Sequence, residues 1–397
     1  MRFASSITTA RTSQAAVEEL LRPIDQTLTP GMADLVFLFS TAHFEDDLDD
    51  VVEKISAYFP TAILVGCTAE GTVGVDTEVE RSPSMSLMAA TLPGVEIRPF
   101  QIDQEQLENA NDEQDWERLV GVSRDQEPAF IAFADPFKVN VHGFVEKINE
   151  AFPGAPLVGG VASAGYQPDQ NRLLISGQIL REGIVGLALS GNIEVQTVVS
   201  QGCRPIGVPF VITRGERDII RELGGKPVLK QLHQVMIDLS DKDEKLARQS
   251  LLIGRVIDEH KDKFTRGDFL IHNIIGVDQN SGAIRITGHA RTGATVQFHV
   301  RDAESADDDL KTLLTPHGGT GVQAALIFSC NGRGTNMWSY AGHDARVVRD
   351  LIGDVPATGF FCGGEFGPVG GRNFIHGFTA SIALLAPASL DPNPHEG

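Results

Sequence analysis

The sequence predicts an α/β protein of two modules, built from repeated βαβ units with mixed sheets and added antiparallel strands. Three observations carry this prediction. One arrangement of apolar runs, helical stripe and glycine-rich loop occurs three times along the chain. The segments between the copies have the alternation of antiparallel strands, and a cluster of prolines and glycines separates the second copy from the third.

The three copies span about 33–71, 127–165 and 323–367. Each contains a short apolar run, a loop, an amphipathic stretch, a proline, a second apolar run and a glycine-rich loop. Short continuous apolar runs are typical of strands that are buried on both faces, as in parallel sheets. The stretch between two such runs is then the crossover helix of a βαβ unit, with a right-handed connection.

The crossover segments have helical spacing. In the first copy, apolar residues recur at i, i+3, i+4 and i+7: Leu48, Val51, Val52 and Ile55. The second copy repeats this spacing within 141–148, and the third keeps the same face within 347–351. A stripe with this period predicts a helix that packs one face on a core.

Each copy closes on two glycines, which are Gly66 and Gly71, Gly160 and Gly165, and Gly359 and Gly364. Glycine permits positive φ angles and lets another group approach the backbone closely. The pattern therefore predicts either tight turns at the strand ends or a ligand that lies against the backbone there.

Residues 269–301 predict an antiparallel meander. In its last run, Val296, Phe298 and Val300 alternate with polar residues, which is the period of a half-buried strand. The segment 200–216 holds two prolines and three glycines and predicts a boundary near residue 212. The N-terminal module, 1–212, then contains the first two βαβ units, and the C-terminal module, 213–397, contains the meander and the third unit.

The chain has 397 residues, a formal net charge of −20 and a sequence pI of about 4.9. Such a chain repels polyanions, so nucleic acid and anionic membrane surfaces are not expected as partners. No apolar run approaches about 18 residues, and the N-terminus lacks the apolar core of a signal peptide. A cytoplasmic location is therefore expected.

The four cysteines, Cys67, Cys203, Cys330 and Cys362, are far apart and form no CxxC pair. This spacing argues against a zinc knuckle or a redox pair. Neither a Walker motif nor a GxGxxG fingerprint is present, which removes the support for a phosphate-containing cofactor. We accordingly expect neither a cofactor nor a metal site.

Several short motifs point to one family. They are "LVGCTAEG" at 64–71, "LVGGVASAG" at 157–165, "FSCNGRG" at 328–334, "GGEFGP" at 363–368 and "NFIHGFTASIALL" at 373–385. With these motifs the chain resembles FIST-domain proteins, with an N-terminal and a C-terminal FIST module in tandem over about 30–387. The resemblance implies an intracellular sensory protein that binds a small molecule, with amino acids proposed as ligands, and that acts on a signalling protein partner.

In an open parallel sheet, ligands bind outside the carboxyl ends of the strands. The two strands of one βαβ unit share that edge, so the loops that follow them approach each other. The residues expected there as ligand contacts are Cys67, Thr68, Cys330, Asn331, Arg333, Glu365, Asn373 and His376. We expect a pocket among these glycine-rich loops.

Arg333 is the first of these candidates. Its planar guanidinium matches a carboxylate or a phosphate through two parallel hydrogen bonds. The flanking Gly332 and Gly334 leave backbone N–H groups to face an anion. Two interpretations stay open: Arg333 contacts the ligand, or it pairs with Glu365 and joins two loops.

Cys330 and Asp344 each allow two interpretations as well. Cys330 is either a small buried hydrophobe at a strand end or a nucleophile with His343 or His376 as its base. Asp344 either caps the third crossover helix or points its carboxylate at the site. The sequence favours a ligand-binding sensory protein over catalysis, with a Cys330-dependent enzyme and a protein-interaction scaffold as the alternatives.

Overall fold

The computed structural model describes residues 1–388, which form two compact units. Within these residues, the first unit comprises Met1–Val199, Leu310–Ile375 and 380–388, and the second comprises Ser200–Asp309 and His376–Thr379. The predicted class is confirmed: βαβ units, mixed sheets and antiparallel strands in two modules. All three βαβ units belong to the first unit, and residue 212 lies within a strand of the second, Cys203–Glu216.

The helices are α1 (Ser13–Thr27), α2 (Leu48–Tyr58), α3 (Gln104–Asn109), α4 (Glu113–Val120), α5 (Val141–Ala151), α6 (Val228–Ile237), α7 (Asp241–Gln249), α8 (Ala303–Leu314) and α9 (His343–Ile352). Along residues 1–388, no helix combines the length and the apolar character that crossing a bilayer requires.

The predicted helical stripes face the core. On α2, Leu48, Val51 and Ile55 are fully buried, as expected for a 3.6-residue period. The start of α5 is fixed by Asn140, whose Oδ1 accepts the N–H of Gly143 at 3.0 Å. A side-chain acceptor of this kind satisfies one of the backbone donors that a helix N-terminus leaves open.

The strands are β1 (Arg2–Thr8), β2 (Leu35–Thr41), β3 (Ile63–Ala69), β4 (Gly71–Val73), β5 (Glu78–Glu80), β6 (Met85–Thr91), β7 (Val95–Ile102), β8 (Ala129–Ala134), β9 (Leu157–Val161), β10 (Leu173–Ile175), β11 (Gln178–Leu180), β12 (Ile184–Gly191), β13 (Glu194–Gln201), β14 (Cys203–Glu216), β15 (Ile219–Leu223), β16 (Lys226–Pro227), β17 (Leu251–Val256), β18 (Phe269–Asp278), β19 (Ala283–Ile286), β20 (Thr295–Arg301), β21 (Ala324–Cys330), β22 (Ala357–Cys362), β23 (Glu365–Val369), β24 (Arg372–His376) and β25 (Thr379–Ala386).

Three six-stranded sheets follow one plan. Their strand orders are β1-β6-β2-β3-β10-β11, β7-β12-β8-β9-β23-β24 and β13-β25-β21-β22-β4-β5. In each order the third and fourth strands are the parallel pair of one βαβ unit. An antiparallel strand lies beside the first of the pair, and a two-stranded ribbon completes the other edge.

Each ribbon comes from a different βαβ unit. The ribbon that follows the first unit, β4–β5, joins the sheet of the third. The ribbon after the second unit, β10–β11, joins the first sheet, and the ribbon after the third, β23–β24, joins the second sheet. The segment after each glycine-rich loop therefore pairs with the parallel strands of another unit, and this exchange decides which side chains meet at each strand end.

Glycines at corresponding positions of the second parallel strands are required by strand packing. A Cβ on Gly66, Gly159 or Gly359 would lie 1.7, 2.0 or 1.8 Å from a carbonyl oxygen of the adjacent strand. No side chain fits at such distances. At Gly66 and Gly359, the close approach that the sequence predicts is therefore made by the neighbouring strand itself.

The three parallel pairs converge on one aromatic cluster. Phe39, Phe133 and Phe328 hold corresponding positions on β2, β8 and β21, and their ring centroids are 5.2, 6.3 and 5.9 Å apart. Phe360 on β22 packs against all three. Offset and edge-to-face aromatic contacts of this kind add to the stabilisation that burial of the rings provides.

The second unit is an antiparallel sheet with the strand order β14-β20-β17-β18-β19-β15-β16, in which β14 also pairs with β15. The predicted runs of 269–301 are strands β18, β19 and β20. Strands β18 and β19 are neighbours, whereas β20 pairs with β14 and β17. Sequence periodicity identified the strands here, but it does not determine their partners.

Candidate functional site

The turn after β21 carries a fully buried charge, that of Arg333. The N–H of Arg333 donates to the carbonyl oxygen of Cys330 at 2.8 Å, which closes a tight turn directly after the strand. The Arg333 side chain is 0% exposed. Its Nε and Nη2 donate to the two carboxylate oxygens of Asp344, each at 2.7 Å. A two-pronged pair of this geometry is the strongest arrangement available to an arginine.

Asp344 points into this site. The N-cap of α9 is Gly342, and Asp344 lies in the first turn with its carboxylate buried. Ser329 donates to the same carboxylate at 2.7 Å, and Nδ1 of His343 lies 2.9 Å from it. Burial acts to raise the pKa of Asp344, but the Arg333 guanidinium and its hydrogen bonds outweigh burial and hold that pKa well below its usual range.

The N-terminus of α9 is capped by a residue that sequence reasoning missed. Glu78 on β5, in the exchanged ribbon, accepts the N–H groups of Gly342 and Ala345 at 3.1 and 2.9 Å. Burial, followed by the nearby charge of Asp344, raises the pKa of Glu78 to about 8. No local pattern connects Glu78 to a helix that begins at His343, so only the strand exchange reveals the contact.

The ribbon also holds the outer part of the turn. Glu80 accepts the backbone N–H and the hydroxyl of Thr335, both at 2.9 Å. Arg81 donates to Asn336 Oδ1 at 2.6 Å. Three residues at the end of one ribbon therefore bind the helix start and the turn of another βαβ unit.

Trp338 covers the guanidinium. Its ring stacks on His343 with the centroids 3.6 Å apart and an interplanar angle of 7°, and Arg333 Cζ lies 5.1 Å from the Trp338 ring centroid. An arginine over an aromatic face is stabilised by the ring quadrupole. The charge of Arg333 is thus enclosed by a carboxylate on one side and an aromatic ring on another.

Two buried polar atoms of this turn have no hydrogen-bond partner among residues 1–388: Arg333 Nη1 and Asn331 Oδ1. A buried donor or acceptor left unsatisfied costs roughly 1–3 kcal/mol. Most such groups in folded proteins are paired with protein, water or ligand. The turn therefore contains one buried donor and one buried acceptor without a hydrogen-bond partner among the described residues.

Cys330 and Cys362 end the two parallel strands of the third unit as register partners. Cys330 is partly exposed and Cys362 is buried. The N–H of Asn331 donates to the carbonyl oxygen of Cys362 at 3.0 Å, so the two strand ends lie side by side as the sequence predicts. Glu365 is also buried, at the start of β23, opposite Gly160.

The other predicted site residues have different surroundings. Asn373 donates to Asn149 and Ala155 and accepts the N–H of Leu157, at the opposite end of the parallel strands. Its amide therefore ties β24 to the start of β9. His376 is buried and belongs to the second compact unit.

Cys67 and Thr68 lie on β3 at the strand end of the first βαβ unit. Cys67 is part of the shared core, and burial raises the pKa of its thiol well above the usual value. Thr68 Oγ1 accepts the N–H of Arg172 at 2.8 Å. The side chain of Arg172 pairs with Glu45. The structure thus places Thr68 beside an arginine that sequence reasoning did not single out.

No group of three or more His, Cys, Asp or Glu side chains within residues 1–388 is arranged to hold a metal ion.

Sequence comparison identifies two domains in tandem. The FIST N domain matches residues 34–226, and the FIST C domain matches residues 228–368. An uncharacterized protein of Mycobacterium tuberculosis (strain ATCC 25618 / H37Rv) is 35% identical over 396 residues, covering 97% of this chain and 100% of that protein. An uncharacterized protein of Mycobacterium bovis is 37% identical over 381 residues, covering 95% of this chain and 97% of that protein.

Among solved structures, a cyanuric acid hydrolase from A. caulinodans aligns with a TM-score of 0.39 and 8% sequence identity, covering 97% of this chain and 99% of that chain.

Proposed function

Because the chain belongs to the family that joins a FIST N domain to a FIST C domain, we propose that it is a sensory protein whose small-molecule ligand binds at the turn from Cys330 to Gly334. The family supports the sensory role. The structure supports the location, because this turn combines a buried charge cluster with polar atoms that have no protein partner.

The observation that carries the proposal is Arg333 Nη1. The guanidinium is completely buried, and Asp344 uses two of its three nitrogens. The third lacks a hydrogen-bond partner among the residues described. A ligand oxygen that accepts this hydrogen bond removes an energetic penalty already present in the protein, which adds to its affinity.

An amino acid or a similar small zwitterion suits this arrangement. Its carboxylate accepts from Arg333 Nη1, and its ammonium group donates to Asn331 Oδ1. A bare anion suits it less well, because Asp344 already offsets the charge of Arg333 and the carboxyl groups of Glu78 and Glu80 lie close by. A ligand without net charge meets the least repulsion in such surroundings.

A sensory protein must change its conformation when the ligand binds, and another protein must recognise the changed conformation. In our proposal the ligand favours one arrangement of the turn and of the ribbon residues that hold it, and a signalling partner binds that arrangement. A ligand shifts such an equilibrium only by its difference in affinity for the two states. The contacts of Glu78, Glu80 and Arg81 with the turn and α9 are where that difference would arise.

Native mass spectrometry and thermal melts with a panel of amino acids test the proposal. A ligand at about 100 times its Kd raises the free energy of unfolding by about 2.7 kcal/mol, which is a shift of a few degrees in Tm. We expect at least one amino acid to stabilise the wild-type protein and to remain bound in the mass spectrum. Arg333→Lys keeps the charge opposite Asp344 but lacks the Nη1 donor, so it should lose this response.

Arg172→Lys is the matched control. Arg172 is also a buried arginine at a strand end, but its Nη1 already donates to two backbone carbonyl oxygens. This variant should respond to the ligand as the wild type does. If no amino acid at millimolar concentration shifts the wild-type melt, or if the two variants lose the response equally, the proposed site is wrong.

A further inference from the structure

We propose that Cys330 and Cys362 are a reversible redox site, in which hydrogen peroxide converts the two thiols to a disulfide that tethers the turn carrying Arg333. The two cysteines are 32 positions apart in the sequence and form no CxxC motif. The parallel pairing of β21 with β22 brings them together as direct register partners. The covalent chemistry of the two thiols does not depend on the identity of any ligand.

The backbone geometry suits a disulfide. Residues directly opposite each other on neighbouring strands have Cα atoms about 5 Å apart, and disulfides span Cα distances of about 4.4–6.8 Å. Side chains of register partners on parallel strands leave the same face of the sheet. That face is the one that carries Phe328 and Phe360, whose rings pack together two residues earlier on each strand.

The two thiols have different surroundings, and the difference assigns their roles. Cys330 is partly exposed, and the N–H of Gly332 lies 3.5 Å from its Sγ. The charge of Arg333 also interacts with Cys330. An accessible thiol beside a cation and an N–H donor is the kind that peroxides oxidise first.

Cys362 is the resolving thiol. It is completely buried, and burial, followed by the charge of Glu365 and by the neighbouring Cys67 and Cys330, raises its pKa well above the usual value. A thiol of this kind reacts slowly with a peroxide in solvent. It can still attack an oxidised sulfur that the sheet holds beside it, because the reaction is then intramolecular.

The chemistry balances in two steps. The Cys330 sulfur attacks one peroxide oxygen, the O–O bond breaks, and the departing hydroxide takes the thiol proton as water, leaving a sulfenic acid. The Cys362 sulfur then attacks the Cys330 sulfur, the S–O bond breaks, and the hydroxyl group leaves with the Cys362 proton as a second water. The two sulfurs are oxidised, and one molecule of peroxide is reduced to two of water.

The bond would act on the proposed ligand site through the backbone. Cys330 begins the turn, and its carbonyl oxygen accepts the N–H of Arg333. Cys362 already accepts the N–H of Asn331. A covalent link between the two cysteines fixes the start of the turn to β22 and removes freedom from both Arg333 and Asn331.

Peptide mapping of the full chain tests the proposal directly. Lysines and arginines lie between the four cysteines, so trypsin places each of them in a different peptide. After hydrogen peroxide, the wild-type protein should lose two hydrogens in its intact mass and yield one linked pair, residues 312–333 joined to 350–372. Dithiothreitol should separate the pair and restore the original mass.

Variants separate the two roles. Cys362→Ser should stop at the sulfenic acid, which dimedone labels at Cys330, and Cys330→Ser should form neither product. Cys203→Ser is the control, because Cys203 is buried in the second compact unit, and it should behave as the wild type does. Cys362→Ala replaces Cys362→Ser if the serine variant melts early, so that misfolding does not decide the result.

Two results would overturn the proposal. One is a wild-type protein that gains oxygen without forming a linked peptide. The other is a linked peptide that contains Cys67, which is the other thiol close to Cys362. Because the assay contains no ligand, its failure leaves the ligand-binding proposal intact, and a failed ligand screen leaves the redox proposal intact.

Discussion

Two buried arginines of the first compact unit lie near strand ends of the same architecture, and they are held in different ways. Arg172 directly precedes the ribbon β10–β11 that completes the first sheet. Its Nη1 donates to the carbonyl oxygens of Asp169 and Asn171 at 2.6 and 2.9 Å, and its Nη2 pairs with Glu45. The Glu45 side chain is 41% exposed, so water shares in this pair.

Arg333 has no such connection to solvent. Its partner Asp344 is 1% exposed, the capping residue Glu78 is buried, and Nη1 lacks a hydrogen-bond partner within residues 1–388. The same strand arrangement therefore holds two kinds of arginine. In the first sheet, Arg172 has its hydrogen bonds met by protein groups and contacts a partly exposed carboxylate. In the third sheet, Arg333 lies in an enclosed charge cluster. The difference shows that the strand arrangement does not determine how an arginine at a strand end is paired, which depends on the loop sequences that the strands bring together.

The two sites should differ most in the free energy of unfolding that is lost when the carboxylate of each ion pair is removed. Asp344→Ala leaves Arg333 buried and uncompensated, and it should lower the free energy of unfolding by about 3–5 kcal/mol. Glu45→Ala removes a partly solvated partner and should cost less than about 1 kcal/mol. Urea unfolding followed by tryptophan fluorescence measures both, because Trp116 and Trp338 both lie in the first compact unit. Equal losses would show that the two sites differ in exposure but not in energy.

The second largest difference between the two sites should be in how the free energy of unfolding depends on pH. The pKa of Glu78 is about 8 in the folded protein, above that of an ordinary carboxyl group. The folded state therefore holds a proton that the unfolded state has released, and stability falls as the pH rises through this interval. Between about pH 6 and pH 8 the free energy of unfolding should fall by roughly 2 kcal/mol.

Glu78→Gln cannot ionise, so this variant should flatten the pH dependence in urea titrations. Glu45→Gln is the control at the other arginine, and it should leave the slope as it is in the wild type. A wild-type stability that is constant between about pH 6 and pH 8 would mean that Glu78 is ionised in the folded protein, with Gly342 and Ala345 stabilising its charge.

His299, which is buried in the second compact unit, should change stability with pH in the opposite direction to Glu78. Burial lowers the pKa of His299 to about 4, although Nδ1 contacts the carbonyl oxygen of Gln297 at 3.0 Å. The unfolded state then binds a proton that the folded state excludes, so stability is lost as the pH falls below about 6.5. The expected loss is about 1.5 kcal/mol between about pH 6.5 and pH 5.

Calorimetry resolves this effect, since the second unit contains no tryptophan. His299→Gln should reduce the loss below pH 6.5 and leave the loss above pH 6 unchanged. If one variant altered both limbs of the pH profile, the clusters around Glu78 and His299 would be energetically coupled.

The parts of the structure that sequence predicted are those with a local physical cause. The stripe of Leu48, Val51 and Ile55 is confirmed because helical burial repeats every 3.6 residues. The register of Cys330 beside Cys362 follows from two parallel strands of one βαβ unit. Each of these statements concerns residues within one repeat, where spacing alone constrains the geometry.

No spacing pattern in the sequence predicted that the ribbons would pair with strands of another βαβ unit. Glu78 caps a helix that begins more than 260 residues later, and Arg172 meets Glu45 across two repeats. Pairing between distant strands depends on the shape and burial of the whole sheet, and a single sequence does not encode it as a period. Asp344 had two interpretations for the same reason: its partners became visible only when the turn and the helix were placed together.

The smallest expected change in stability comes from Arg81, and it shows whether the charge cluster around Arg333 extends to the surface. The Arg81 side chain is 59% exposed and reaches Asn336 at 2.6 Å from the solvent side of the turn. Arg81→Ala should change the free energy of unfolding by no more than about 0.5 kcal/mol, because exposed polar contacts exchange readily with water. The measurement is the same fluorescence-detected urea titration, with the neighbouring Thr335→Val as a comparison that also removes a hydrogen bond to Glu80. If Arg81→Ala costs more than about 1 kcal/mol, the ribbon stabilises the turn along its whole length, and the cluster that distinguishes Arg333 from Arg172 extends to the surface.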